Sequence, residues 1–338
     1  MKLYRLQSEG GRVRPALGEA PIPEPAPGEV RIRVVAASLN YRDLLILANA
    51  ADGSLDGRIP LSDAAGIVDA LGDGVTCWKE GDRVAASFFR GWISGPFDPA
   101  YLPTSFGGRS TDGVLAEFIT VPAVALVAVP HHLSLVEAAT LPCAAVTAWH
   151  GLVERAGLKN GDTVVIQGTG GVALFGLQFA VALGARPLVL SSSDEKLEQA
   201  RALGAVDLIN YLTTPDWHEA VIALTDGKGA SHILELGGRE TYTRSLKAVA
   251  AGGKIVQIGV LTGAGPSPDL ERLQTVNADI IGITVGATAH FSAMNAFVAE
   301  KNLVPVIDGV FPFEVVPDAY AHLRAGAHFG KLVISVSD

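Results

Sequence analysis

The stretch Thr163-Val-Val-Ile-Gln-Gly-Thr-Gly-Gly-Val-Ala-Leu-Phe-Gly-Leu-Gln-Phe-Ala-Val-Ala-Leu-Gly184 admits few folds: an apolar run breaks into glycines and resumes as a helical pattern. A strand passes into a helix within so few residues only through tight backbone geometry, and side chains at the break would hold an anion away from the amides. Gly168, Gly170 and Ala173 supply a G-x-G-x-x-A spacing. It predicts a turn in which Gly168, Gly170, Gly171 and Val172 meet a pyrophosphate at the positive end of the helix dipole. A glycine signature alone is weak, because ordinary strand-to-helix turns share it. The flanking sequence decides.

Downstream, strands and helices alternate strictly. Pro187-Leu-Val-Leu reads as strand, Asp194 to Leu203 as helix, Val206-Asp-Leu-Ile as strand and Asp216 to Leu224 as helix. His232-Ile-Leu-Glu-Leu, a helix from Glu240 to Ala250, Lys254-Ile-Val-Gln-Ile and a last strand at Asp279-Ile-Ile-Gly-Ile-Thr-Val continue the series. This predicts an α/β doubly wound parallel (Rossmann) sheet. Upstream, Met1 to about Ala125 is strand-like and heavily punctuated, with Asn40-Tyr-Arg-Asp-Leu-Leu-Ile-Leu as a cap and short helix. That part predicts a twisted β-rich domain. An aromatic segment from Phe88 to Pro103 has the make-up of a functional loop. Ser134 to Leu152 reads as a helix opened by a Ser134/Glu137 capping box.

Beyond Gly286 come a helix with Met294 and Phe297, a short strand, a helix from Pro317 to Arg324 and a closing strand Leu332-Val-Ile-Ser-Val. With no linker in view, the tail is expected to pack back on the first domain, leaving a cleft between the two. The expected domains are 1–125 with 289–338 for catalysis and 126–288 for the dinucleotide.

Lys and Arg number 26 against 35 Asp and Glu, with no basic block, which excludes an electrostatic nucleic-acid or anionic-membrane surface and leaves a small molecule as the partner. Cys77 and Cys143 are the two cysteines, far apart, so there is neither a disulfide framework nor a Cys-x-x-Cys knuckle. The N-terminus lacks a signal-peptide core and no apolar run spans a bilayer, so a soluble cytoplasmic protein is expected.

In such a sheet an acid at the end of the second strand binds the adenosine ribose 2′-hydroxyl and repels a 2′-phosphate. Here Ser191-Ser192-Ser193 stand in that place, with Lys196 one turn into the next helix, which points to NADP(H). Asp194 and Glu195 speak for NAD(H) if one of them reads the ribose; we read them as first-turn residues matched to the helix dipole. Tyr211, past the third strand, is a candidate to flank the adenine or phosphate and equally a packed surface aromatic.

Together these residues resemble the medium-chain dehydrogenase/reductase superfamily, and within it the zinc-independent quinone oxidoreductase-like branch. The matching pieces are Pro21 to Val30, Asn40-Tyr-Arg-Asp, Ser62-Asp-Ala-Ala-Gly, Glu80-Gly-Asp-Arg-Val, Asp112-Gly-Val-Leu-Ala-Glu-Phe and Leu141-Pro-Cys-Ala-Ala-Val-Thr-Ala-Trp. The glycine turn, Ser191 to Leu197, Leu203-Gly-Ala, Ile209-Asn-Tyr and His328-Phe-Gly-Lys331 complete them. The resemblance implies a GroES-like β domain and a homodimer, with a tetramer as the alternative. It also implies Thr147, Gly237, Ile258, Val260 and Gly286 along the ribose and nicotinamide, and Lys331 among the cofactor contacts. Relatives often carry Val-Gly-Ser-Arg where this chain has Val285-Gly-Ala-Thr288, so no arginine role carries over there.

Zinc-dependent cousins place their metal on a Cys, a His and a further Cys or His. The corresponding positions here are Asn40, Ser62 and Cys143, so no metal is expected: one thiolate cannot hold a zinc that needs three protein ligands. Without zinc, a quinone or α,β-unsaturated carbonyl is the suitable hydride acceptor, since conjugation already makes its carbon electron-poor. The resemblance brings Asn40 and Tyr41 to face the cleft as donors to the developing enolate, with Asp43 as their orienting or capping partner. Phe88, Phe89, Trp92, Tyr101, Phe291 and Met294 are candidates for a flat apolar pocket and equally for core or dimer contact. His150 reads as structural. The expected activity is NADPH-dependent reduction of quinones or enones. The alternatives are an enoyl-thioester reductase and a dinucleotide-binding sensor or structural protein with little turnover.

Overall fold

The computed structural model describes residues 1–10, 12–49, 53–263, 267 and 269–337. They form two compact units, Met1–Val146 with Gly286–Asp338, and Thr147–Val285. The segment 126–146, assigned from sequence to the dinucleotide domain, packs with the first unit. The Cys143 amide donates to Asp63 Oδ2 at 3.0 Å and Ser38 Oγ to the Ala139 carbonyl at 2.9 Å, which ties it to the first unit's strands.

The first unit opens on an antiparallel hairpin of β1 (Lys2–Glu9) and β2 (Arg12–Glu19). β3 (Glu29–Leu39), β4 (Asp63–Leu71), β5 (Arg83–Ala86), β6 (Phe118–Pro122) and β7 (Leu126–Ala128) follow, with α1 (Tyr41–Ala48) between β3 and β4. Along β3, buried Val30, Ile32 and Val34 alternate with partly exposed Arg31 and Arg33, as a strand with one covered face requires. α2 (Leu135–Ala138) starts at the expected capping box, the Ser134 amide donating to Glu137 Oε2 at 2.7 Å and the Glu137 amide to Ser134 Oγ at 3.2 Å. The helix expected to run to Leu152 is not uniform: π-helical turns at Leu141–Ala145 and His150–Arg155 flank α3 (Val146–Trp149). Pro142 has no amide to give, and the Cys143 amide is diverted to Asp63, so regular α pairing is lost there.

The second unit alternates β8 (Thr163–Gln167), α4 (Gly171–Ala182), β9 (Arg186–Ser191), α5 (Asp194–Ala202), β10 (Asp207–Asn210), α6 (Trp217–Leu224), β11 (Ala230–Glu235), α7 (Tyr242–Ala248), β12 (Val249–Gln257), α8 (Leu270–Val276) and β13 (Asp279–Gly282). The strands are parallel in the order β10-β9-β8-β11-β12-β13, the doubly wound order in which the succession of strands reverses between β8 and β11. The helix expected to reach Ala250 ends at Ala248, and the strand expected from Lys254 begins at Val249. Ala250-Ala-Gly-Gly carries no side-chain pattern that would mark the change. In the core, Val165, Ile233, Leu246 and Ile255 pack together.

The chain then returns to the first unit with α9 (Thr288–Glu300), β14 (Ile307–Pro312), α10 (Val316–Ala325) and β15 (Lys331–Ser335). Its sheet runs β14-β15-β3-β4-β5-β7, with β6 also paired to β3. The register decides which polar residues meet: Leu332 lies opposite Leu39, and Ser38 opposite Asp63. One end of three neighbouring strands therefore collects Lys331, Asn40 and Asp63.

Candidate active site and dinucleotide-binding turn

In the second unit, Gly168 follows β8 at φ 82°, a left-handed conformation that suits glycine, and its amide donates to the Leu190 carbonyl at 2.7 Å. Gly170 caps α4 without any side-chain hydrogen bond, and no acidic residue stands in the first turn. A Cβ added at Gly170 would meet no atom within 4 Å, so the space over the turn is open. Open space, uncapped amides and a helix N-terminus make the turn at Gly168, Gly170, Gly171 and Val172 fit for an anionic pyrophosphate. Ala173, fully buried, lets α4 pack closely on the sheet.

At the far end of β9, Ser191 is buried, and the Tyr211 amide donates to its carbonyl at 3.0 Å. Ser192 is exposed, and Ser193 caps α5 by accepting from the Lys196 amide at 3.3 Å. Asp194 Oδ1 accepts from Asn210 Nδ2 at 2.7 Å, so this acid holds the end of β10. Ser191, Ser192, Lys196 and Tyr211 thus gather at the carboxyl ends of β9 and β10. The Tyr211 side chain lies at the surface.

Gly237, Ile258 and Val260 also come together. The Ile258 amide donates to the Glu235 carbonyl at 3.0 Å and the Thr262 amide to the Gly237 carbonyl at 2.8 Å, interlocking the loops after β11 and β12. Beneath them is a buried cluster that no sequence motif announces. Glu235 is fully buried, and its carboxylate accepts from Gln167 Nε2 at 2.7 Å, the Gly237 amide at 3.0 Å, the Gly238 amide at 2.9 Å, Thr241 Oγ1 at 2.5 Å and Ser245 Oγ. Gln167 Oε1 accepts from the Leu236 and Gly237 amides, each at 3.0 Å. The cluster bridges β8 and β11 at the point where strand order reverses. Its one signal in the sequence is a polar residue closing each of two apolar strands.

Thr147 is buried on α3, and His150 Nδ1 sits 2.6 Å from the Val285 carbonyl, a backbone tie that fits its structural reading. Gly286 and Lys331 belong to the first unit, apart in the chain from the other expected cofactor contacts.

The first unit's site is a buried polar cluster. Lys331 Nζ donates to the Leu39 carbonyl and to Asn40 Oδ1, both at 2.6 Å. The Asn40 amide donates to Asp43 Oδ2 at 2.7 Å, so Asp43 closes the first turn of α1. Ser62 Oγ donates to Asp63 Oδ1 at 2.6 Å while Asp63 Oδ2 takes the Cys143 amide. Among the buried atoms without a hydrogen-bond partner are Asn40 Nδ2, Asp43 Oδ1 and the Tyr320 hydroxyl. Burial raises the Asp43 pKa to about 6, against the opposing pull of Arg42 and the Asn40 amide. Burial also pulls the Lys331 ammonium below the usual lysine range, with Asp63 opposing, and pushes the Cys143 thiol up, with Asp63 adding to the effect. Tyr41 opens α1 and is exposed.

These donors do not suit zinc. One thiol, a serine hydroxyl already given to Asp63 and an asparagine oxygen already held by an ammonium form no ligand set, and no group of three His, Cys, Asp or Glu fit for a metal occurs among the described residues.

Leu61, just before Ser62, is held at φ 69°, a left-handed backbone uncommon for leucine. A Cβ at Gly113 would stand 2.2 Å from the Leu61 carbonyl oxygen, and one at Gly107 2.5 Å from it. Of the pocket candidates, Phe88, Phe89, Trp92, Phe291 and Met294 are buried. Tyr101 stacks on Trp92 with centroids 5.9 Å apart and keeps an open edge. The Thr288 amide donates to the Trp92 carbonyl at 3.0 Å, anchoring the loop to α9.

A doubly wound dinucleotide-binding unit and a β unit bearing a buried hydrogen-bond-donor site define a pyridine-nucleotide oxidoreductase. A family model described as an alcohol dehydrogenase GroES-like domain matches residues 26–131, and one described as a zinc-binding dehydrogenase matches residues 171–300. A zinc-type alcohol dehydrogenase-like protein of Schizosaccharomyces pombe is 42% identical over 322 residues, 92% of this chain and 91% of that protein. The chain belongs to the medium-chain dehydrogenase/reductase superfamily. It is also 32% identical to a 2-methylene-furan-3-one reductase of Solanum lycopersicum, over 93% of this chain and 73% of that one. Among solved structures, one from Sinorhizobium meliloti 1021 superposes with a TM-score of 0.90 at 43% identity, covering 99% of this chain and 98% of that one. The 2-octenoyl-CoA carboxylase reductase CinF, in complex with NADP and 2-octenoyl-CoA, superposes with a TM-score of 0.83 at 26% identity, covering 100% and 90%. No helix of the described residues is long and apolar enough to cross a membrane.

Proposed function

We propose that this oxidoreductase reduces a quinone or an α,β-unsaturated carbonyl compound with NADPH, without zinc. The observation that carries the reading is Asn40 Nδ2, a buried donor without a partner at the position where relatives place a metal ligand. A hydrogen bond from this amide to the carbonyl oxygen stabilises negative charge that grows there during reduction, the part a Lewis acid plays elsewhere. NADPH supplies the hydride when bound. Tyr41, exposed at the start of α1, is the proposed second donor and the route by which a proton returns from solvent. Asp43 fixes the Asn40 backbone. In the second unit, Gly168, Gly170, Gly171 and Val172 hold the pyrophosphate. Ser191, Ser192, Lys196 and Tyr211 hold the phosphorylated ribose, since the nearby acid Asp194 is bonded to Asn210. Gly237, Ile258 and Val260 line the nicotinamide side, resting on Glu235.

Relatives that reduce a methylene-furanone and bind an enoyl thioester support the reaction class. The second of these favours a further reading, an enoyl-CoA acceptor. We also propose a cytoplasmic homodimer, to be checked by light scattering for its oligomeric state.

A panel of quinones, enones and enoyl-CoA esters with NADPH and NADH tests these readings together. Asn40→Ala is expected to lower kcat about a hundredfold on the preferred acceptor, and Tyr41→Phe less. Unchanged turnover in both variants sinks the assignment. Metal analysis of the active protein is expected to find no stoichiometric zinc.

A further inference from the structure

A side-chain amide has two faces of opposite character, an oxygen that only accepts and a nitrogen that only donates. Which face Asn40 presents to a substrate is therefore a question of chemistry, and a 180° turn about its last bond would abolish its use as a donor. The answer lies in its neighbour. Lys331 Nζ is 2.6 Å from Asn40 Oδ1, and an ammonium has no lone pair with which to accept. The atom against Lys331 must be the oxygen, so the NH2 is the free end, and it is buried without a partner.

We propose that Lys331 is a positioning residue that fixes the polarity of the Asn40 amide, turning its NH2 to the carbonyl oxygen of the substrate. This rests on the proposed role of Asn40 as donor. The strand register supplies the rigidity. Lys331 opens β15, one residue before Leu332, which lies opposite Leu39, and its ammonium is pinned a second time on the Leu39 carbonyl at 2.6 Å. Asn40 in turn is tied by its backbone to Asp43. Lys331 is 3% exposed, so its charge is spent inside the unit, among Asp43, Asp63 and Arg42, rather than offered to solvent. A charge-assisted hydrogen bond to the amide oxygen also polarises the amide and makes its N–H a stronger donor.

The test is a double-mutant cycle of Lys331→Met and Asn40→Ala, read as kcat on the preferred enone, as NADPH affinity by fluorescence titration, and as the carbonyl stretch of the bound enone. A residue that acts only through Asn40 gives non-additive losses. Lys331→Met is expected to lower kcat about tenfold or more, leave the NADPH Kd within about twofold, and move the carbonyl stretch toward its free value. In the Asn40→Ala background it is expected to add less than about twofold. Additive losses overturn the proposal, as does weakened NADPH binding at unchanged kcat, which would make Lys331 a cofactor contact. If Lys331→Met does not fold, Lys331→Gln enters the same cycle under the same criterion. If Asn40→Ala itself leaves kcat unchanged, the donor reading fails; if Asn40→Ala is impaired and the Lys331 variant is not, the positioning inference alone fails.

Discussion

Glu235 in the second unit and Asp43 in the first are both buried carboxylates inside a polar network, and the two are treated in opposite ways. Glu235 receives five donors and its oxygens are saturated. Asp43 receives the Asn40 backbone amide on one oxygen, while the other has no partner; Asn40 Nδ2 and the Tyr320 hydroxyl are likewise unmet. A saturated network is framework: it sets the loops after β11 and β12 and has nothing left to offer. An unsaturated one costs stability in the isolated protein and keeps donors and acceptors in hand for a ligand.

If that contrast is right, removing the two carboxylates must have opposite effects. Glu235→Ala strands five donors at once and is expected to destabilise the protein by about 3 kcal/mol or more, read from urea denaturation, since each buried group left unpaired costs roughly 1–3 kcal/mol. A loss below about 1 kcal/mol would remove Glu235 from the framework.

Asp43→Asn should instead stabilise at neutral pH. The Asp43 pKa of about 6 lies above its ordinary 3.8, so the folded state binds the proton more tightly than the unfolded chain. The resulting penalty is absent below the unfolded value, grows as pH rises through the window from 3.8, and is complete once pH passes about 6. The expected gain for Asp43→Asn is on the order of 2 kcal/mol at pH 7.5 and near zero at pH 4, as one pKa unit corresponds to about 1.4 kcal/mol. A gain that is equal at both pH values breaks the comparison.

Gly170→Val sharpens the comparison without touching either carboxylate. The new side chain points into open space, so stability should change by less than about 1 kcal/mol while dinucleotide affinity falls about tenfold or more. Equal binding by variant and parent would mean that the pyrophosphate lies elsewhere.

Local signals in the sequence carried far. The glycine turn, the alternation behind it and the Ser134/Glu137 cap each involve residues within one or two turns of chain, and each has its expected place in the fold. The same holds for Asn40 at the head of α1 with Asp43 three residues on. What the sequence hid depends on distance. Gln167 and Glu235 meet 68 residues apart, and Lys331 meets Asn40 291 residues apart. No periodicity announces such pairs; they arise from strand order and register. The start of β12 was hidden for the opposite reason, because alanines and glycines leave no pattern to read.

Leu61 carries a consequence for how this chain can change. Its carbonyl lies against the backbones of Gly107 and Gly113, so a left-handed leucine and two side-chain-free positions form one interlock next to Ser62 and Asp63. A side chain at either glycine collides with the Leu61 backbone, whichever residue stands at position 61. The loop around residue 110 is therefore held to glycine at two positions by a backbone more than 45 residues earlier in the chain, next to the proposed site.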